Sequence, residues 1–412
     1  MHHFQYRDGR LYAEEVSVTA LAEEYGTPLY LYSAATFRRH FKAFDSAFDG
    51  IEHLTCFSVK ANSNLAVLRL LGEMGAGMDI VSGGELYRAL KAGVPAGRIV
   101  YSGVGKRPSE IREALEAGIL MFNVESVAEL HKINEVAGSM GKTAKISFRI
   151  NPDVDPQTHP YISTGMKKNK FGLDIDHSLE AYELAAGMEH IDPVGMDCHI
   201  GSQLTSLDPF LEALDKLLVF YGRLKDMGLN ITYLDLGGGL GIPYDSEEPP
   251  HPSEFGQALR KRLEGVPLKL ILEPGRVVAG NSGVLITEVV YTKSNPSKNF
   301  LIVDAGMNDL IRPSLYGSYH KIEEVEHHGR SASLYDVVGP ICESGDFLAR
   351  DRELPEVQAG ERLAVYSAGA YGFVMSSNYN SRPRACELLV DGDKVTVARK
   401  RETYEDLVEN EC

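Results

Sequence analysis

Cysteine is scarce and scattered. The 412-residue chain has five, Cys56, Cys198, Cys342, Cys386 and Cys412, and no Cys-x-x-Cys pair. An odd, dispersed set argues against a disulfide framework or a thiolate zinc site and points to a reducing compartment, the cytoplasm. No metal site is expected. Long apolar runs are missing too: none approaches the roughly 20 residues that span a bilayer. The opening stretch, MHHFQYRDGRLYAEE, is polar and acidic, unlike a secretory leader. Positive charge is in deficit, 42 Lys and Arg against 58 Asp and Glu, for a net charge of −16. That diffuse negative field argues against nucleic acid or an anionic membrane as partner, although a few local arginines can still hold an anionic small molecule.

What is present is a rhythm. Apolar strand-like runs alternate with segments of helical spacing: LTCFSVK, GMDIVS, RIVYSG, ILMFNVES, AKISFRINP, PVGMDCHIGS, ITYLDLGGGLG and LKLILEPGR, between about residues 53 and 275. Several helical stretches close on a Gly just past their last apolar position, as helix ends prefer. Eight such repeats suit a closed (β/α)8 barrel of the TIM type better than an open doubly wound sheet. After Arg276 the texture turns to short alternating or β-branched runs broken by Gly, Asn and Pro, an all-β pattern. The expected division is residues 1–28 as a segment completing the β domain, 29–275 as the barrel, and 276–412 as a mainly-β C-terminal domain.

In such barrels functional groups collect at the carboxyl ends of the strands. Here those ends carry Lys60, Asp79 with Ser82, Ser102, Asn123 with Glu125, Arg149 with Asn151, His199, Asp235 and Glu273. Lys60 ends an apolar run, and a lysine shielded from water there can lose its proton and attack a carbonyl. Two chemistries use that: a direct attack on a sugar, as in a class I aldolase, or anchoring pyridoxal phosphate. The second also needs a phosphate cradle, a group at the ring nitrogen and a surface packing the ring. Gly237, Gly238 and Gly239 let successive N–H groups converge on an anion, though a tight loop without ligand reads equally well. Glu273 in EPGR can face a pyridine nitrogen or simply pair with Arg276. His199 can lie flat on a ring or serve as a structural hydrogen-bonder. Arg312 and Tyr316, four apart, suit a carboxylate. In CESGD, Cys342 sits beside Glu343 in a glycine-rich loop, a setting for a proton donor as much as for a packed thiol.

The chain resembles the diaminopimelate decarboxylases, within the fold-type-III pyridoxal-phosphate decarboxylases. The likeness runs nearly end to end, through FSVKAN, INPDVDPQTHPYISTGMKKNKFG, CHIGSQ, LDLGGGLGI, EPGR, GMNDLIRPSLYG, GPICESGD and GAYGFVMSSNYNSRPR. Ser58 stands where alanine is more usual in the lysine motif. The resemblance implies that Lys60 holds pyridoxal 5′-phosphate covalently, with Asp79 and Arg149 beside it and His199 stacked on the ring. Ser202, Gly237, Gly238, Gly239, the Pro274–Gly275–Arg276 backbone and Tyr371 would hold the phosphate end, and Glu273 the ring nitrogen. Arg276, Arg312, Tyr316 and Tyr371 would bind substrate. Cys342, as proton donor, and Glu343, as substrate ligand, would come from the partner subunit of a homodimer with shared sites. The implied reaction is decarboxylation of meso-diaminopimelate to L-lysine, in lysine biosynthesis. A decarboxylase of another basic amino acid or of carboxynorspermidine, an alanine-racemase-like isomerase and a non-catalytic relative remain the alternatives.

Overall fold

The computed structural model of the chain describes residues 2–155 and 170–412, so much of the polar insertion after the fifth strand run lies outside the described residues. The chain divides into two compact units. One holds residues 41–242 and 248–277, the other residues 1–40, 243–247 and 278–412.

The first unit is a closed barrel of eight parallel strands, His53–Ser58, Gly77–Ile80, Ile99–Tyr101, Met121–Val124, Ala144–Asn151, Ile191–Asp197, Tyr233–Asp235 and Lys269–Leu272. Each pairs with the next, and the last closes on the first through Leu270–His53 to Leu272–Thr55. Side chains alternate across each strand. Leu54, Cys56, Val100, Met121, Val194 and Ile271 pack on one another as one apolar cluster, while Phe57, Tyr101, Phe122 and Phe148 are fully buried at the alternate positions. Burying a side chain of this size contributes about 1.5–3 kcal/mol, so the alternation fixes the strand register strongly. Short polar side chains start the following helices. Ser82 accepts from Glu85 N–H, Ser126 from Glu129 N–H and Asn64 from Ala66 N–H. Ser82, read from sequence as a strand-end site group, is therefore a helix cap.

The second unit is mainly β. Its large sheet runs through Phe347–Pro355, Ala332–Val338, Asn299–Val303, Gly283–Ser294, Leu29–Ser33, Cys386–Asp391 and Lys394–Arg399, and a three-stranded N-terminal sheet, Phe4–Arg7, Arg10–Ala13 and Val16–Ser17, accompanies it. Leu11, Leu29, Leu31, Val284, Ile286 and Leu388 lie in one buried cluster of this unit. Leu29–Ser33 is a correction to the division expected from sequence, which put it at the start of the barrel. It is a central strand of the β unit, paired on one edge with Gly283–Ile286 and on the other with Cys386–Val390. All five of its side chains are buried, a continuous apolar run that reads the same in either kind of sheet.

Candidate active site at the carboxyl end of the barrel

All eight strand ends converge. Lys60 Nζ lies 2.5 Å from Asp79 Oδ2. Ser58 Oγ donates to the same oxygen at 2.9 Å and lies 3.0 Å from the carbonyl of Glu273. Across the mouth, Glu273 Oε1 is 3.3 Å from Ser102 Oγ and 3.4 Å from Asn123 Nδ2, and Asn123 Nδ2 also lies 3.2 Å from Asp235 Oδ2. Ser147 Oγ donates to Asn123 Oδ1 at 2.7 Å, fixing which way that amide faces. Arg149 Nη1 donates to Glu125 Oε1 at 3.0 Å, and its Nη2 to the carbonyl of His199 at 3.2 Å. Arg276 Nη2 donates to Ser202 Oγ at 3.1 Å, while Glu273 Oε1 faces Ser102 and Asn123.

Five acidic side chains, Asp79, Glu125, Asp197, Asp235 and Glu273, are buried around this mouth. Burial, then the charge of Asp235, pushes the Glu273 carboxyl well above the carboxylate range, with Lys60 and Arg149 pulling back. Burial and Asp197 push Asp235 up to about 8, against the N–H groups of Gly237 and Asn123 that favour its charge. Burial, then Glu273, raises Asp197 well above the usual range. Burial opposes the charge on Arg149, but Glu125, Asp197 and Glu273 together hold its guanidinium above the ordinary value. His199 moves the other way: burial, Arg149 and Lys60 hold it well below the usual imidazole range. Its Nδ1 accepts the N–H of Gly238 at 3.1 Å, so the neutral ring carries its proton on Nε2.

The glycine loop is built by close approach. Gly237 has φ +63°, and a Cβ on Gly238 would fall inside the carbonyl of Glu273. Two of the N–H groups expected to cradle an anion have other partners: Gly237 N–H donates to Asp235 Oδ1 at 2.9 Å and Gly238 N–H to His199. These glycines hold His199, Asp235 and Glu273 together.

Pyridoxal phosphate fits this chemistry. An amine, a buried carboxyl whose pKa is raised by burial and a flat neutral imidazole are present at one mouth, and Asp79 Oδ1 is buried with no hydrogen-bond partner, an acceptor left for a bound group. Asp197, which sequence reading passed over, belongs to the same cluster. The available signal was its place at the end of the apolar run, two residues before His199. Ser58, noted only as a departure, turns out to bridge the first and last strands.

The remaining expected residues lie in the β unit. Arg312 opens the short helix Arg312–Tyr316, is buried, and sits 5.3 Å from the ring of Tyr244 and 5.6 Å from that of Tyr316, with Nη2 3.2 Å from Ser318 Oγ. Cys342 and Glu343 are exposed, and the Cys342 N–H donates to Asn380 Oδ1 at 2.7 Å. Tyr371 takes the left-handed conformation, φ +56°, strained for a bulky side chain. One His–carboxylate grouping, Glu324, His328 and Glu361, has donor atoms within 4.8 Å of one another. Both oxygens of Glu361 are already held by Arg330, at 2.7 and 2.6 Å.

Residues 34–280 match the family described as pyridoxal-dependent decarboxylase, pyridoxal binding domain. The chain is 54% identical over 409 residues to the diaminopimelate decarboxylase of Haemophilus influenzae, covering 99% of this chain and 98% of that protein. It is 55% identical over 408 residues to that of Aquifex aeolicus, covering 99% and 97%. The crystal structure of diaminopimelate decarboxylase from Helicobacter pylori complexed with L-lysine has a TM-score of 0.92 to this chain at 46% identity, covering 95% of this chain and 98% of that one. The likeness therefore spans the barrel and the β unit alike, and with Lys60, His199, the glycine loop and Glu273 meeting at one mouth, the chain belongs to the diaminopimelate decarboxylases, a family of pyridoxal-dependent decarboxylases.

Proposed function

We propose that this chain removes the carboxylate from one α-carbon of meso-2,6-diaminopimelate, giving L-lysine and CO2, with pyridoxal 5′-phosphate as cofactor. The observation that carries this reading is the opposition at the barrel mouth of the Lys60–Asp79 pair and the buried Glu273 carboxyl facing Ser102 and Asn123, its pKa raised by burial and by Asp235. Pyridoxal phosphate, when bound, supplies the electron sink for the pair left behind by CO2.

The chain's own residues do the rest. Asp79 pairs with Lys60 and holds its amine at the place where the cofactor would be anchored. Glu273 offers its proton at the place of the ring nitrogen, and as a carboxylate keeps it there. The neutral His199 ring, pinned at Nδ1, presents a flat face without a competing charge. Ser202, oriented by Arg276, and the Gly239 and Gly275 backbone are the groups proposed at the phosphate. Because Asp79, Asn123, Asp235 and Glu273 are all buried, these polar groups act where water does not screen them.

Substrate choice rests on the second carboxylate. Arg312, held between two tyrosine rings, is the proposed recognition group, with Tyr316, Arg276 and Tyr371. In the proposed homodimer, Cys342 of one protomer returns the proton to the α-carbon in its partner's site, and Glu343 binds the substrate there. The exposure of both side chains supports that role. Among the described residues no helix is long and apolar enough to cross a membrane, in keeping with the proposed cytoplasmic setting.

The test is direct. Purified protein with pyridoxal phosphate is given meso-diaminopimelate, ornithine, arginine or lysine, and CO2 is measured. Release from meso-diaminopimelate, with little from the others, is expected. Release mainly from a diamine precursor, or from none, would overturn the reading.

A further inference from the structure

We propose that Lys106, which lies behind the site and not in it, is a positioning residue that sets both the carboxylate cluster and Arg149. This rests on the function proposed above. The side chain of Lys106 is 0% exposed and that of its partner Glu129 is 8% exposed. A lysine is almost never this buried without a structural demand. Its Nζ has three acceptors, the carbonyls of Gly103 and Asn123 at 2.8 Å each and Glu129 Oε1 at 2.6 Å. The other oxygen of Glu129 accepts the N–H of Glu125 at 3.0 Å. One ammonium therefore fixes the main chain at two points of the fourth strand's end, Asn123 directly and Glu125 through Glu129.

Those are the two residues of that strand end whose side chains turn to the site. Asn123 reaches Ser102, Asp235 and Glu273. Glu125 holds Arg149, which in turn holds the carbonyl of His199, and its second oxygen takes the N–H of Gly172 at 2.8 Å. A shift of the main chain at 123–125 moves both networks together. The ring of Tyr101, 5.4 Å from Lys106 Nζ, packs against the charge and leaves it little freedom to seek other acceptors.

Lys106→Met alone leaves Glu129 with a buried, unpaired charge, which can itself unfold a protein. The informative variant is Lys106→Met with Glu129→Gln, which removes that charge yet keeps an acceptor for the Glu125 N–H. Expected of the double variant is a melting temperature near that of the native protein and a KM for meso-diaminopimelate within about threefold. Its kcat should fall about 10- to 100-fold, as for misplaced catalytic groups. The pH midpoint of the bound cofactor's visible absorbance should shift by about half a unit, roughly threefold in proton affinity. Its crystal structure should have Asn123 drawn away from Glu273. A folded double variant with native kcat, native midpoint and Asn123 in place would overturn the proposal, because a merely structural lysine would change the melt alone. Lys106→Arg decides the matter if the double variant does not fold. It keeps the charge but cannot present three donors from one atom, so a shifted midpoint and lowered kcat support the strut and native values overturn it. If native protein neither binds the cofactor nor releases CO2, the functional reading has failed, and the position of Asn123 still decides the role of Lys106.

Discussion

The side chain of Lys60 is 35% exposed while that of Asp79 is fully buried, so a reagent can reach the amine while its counter-charge stays fixed. Borohydride reduction of the cofactor-loaded protein should place a stable label on Lys60, and Lys60→Ala should lose both label and visible absorbance. A label persisting on another lysine would refute the assignment. Glu273→Gln should keep the cofactor but lower kcat by about 10²–10³, the scale of removing one preorganised electrostatic partner from a dry site. Near-native turnover with bound cofactor would rule that out. The same buried carboxyls bear on stability. Asp235, pushed up to about 8, binds its proton more tightly when folded than the ordinary carboxyl near about 3.9. Its contribution is full below about pH 4 and is lost as pH rises towards about 8. Asp197 and Glu273, also raised, act in the same direction. Cofactor-free protein should therefore melt lower at about pH 9 than at about pH 6, and a flat or rising melting temperature would contradict this account.

At the level of elements, the barrel was legible because every strand run ends where its polar group begins: Lys60, Asp79, Ser102, Asn123, Arg149, His199, Asp235 and Glu273 all stand at such stops. Some strands of the β unit were not legible. Leu29–Ser33 is buried on both faces and so carries no alternation, and Phe347–Pro355 contains the charged run Arg350, Asp351, Arg352 and Glu353, which carries no apolar signal. In the site, residue type and strand position exposed the groups that touch the mouth, but not the supports behind them. Lys106 and Glu129 lie on a loop and a helix, and only the fold brings them under Asn123. The use of the glycine loop was also hidden, since sequence gives its permissive backbone but not the partners of its N–H groups. Gly238→Ala should push the Glu273 carbonyl and His199 apart. Cofactor affinity should drop by at least about tenfold, about 1.4 kcal/mol, and unchanged affinity by equilibrium titration would show that the loop relaxes freely.

The whole molecule keeps its candidate chemistry in two places: an amine and a buried carboxyl at the barrel mouth, and a thiol with its neighbouring carboxylate on the exposed Cys342–Glu343 loop of the β unit. A twofold interface presents each patch twice, so the loop of one protomer can serve the barrel of its partner while the partner reciprocates. Lys60→Ala and Cys342→Ala proteins should each be nearly inactive alone. In a homodimer with shared sites, a mixed dimer has one site carrying both defects and one carrying neither. Random re-pairing of equal amounts makes half the dimers mixed, so activity should recover to about a quarter of native. If each site instead lies within one chain, every site in the mixture keeps a defect. No recovery, in mixtures where mixed dimers are demonstrated by two distinguishable tags, would then remove the shared site.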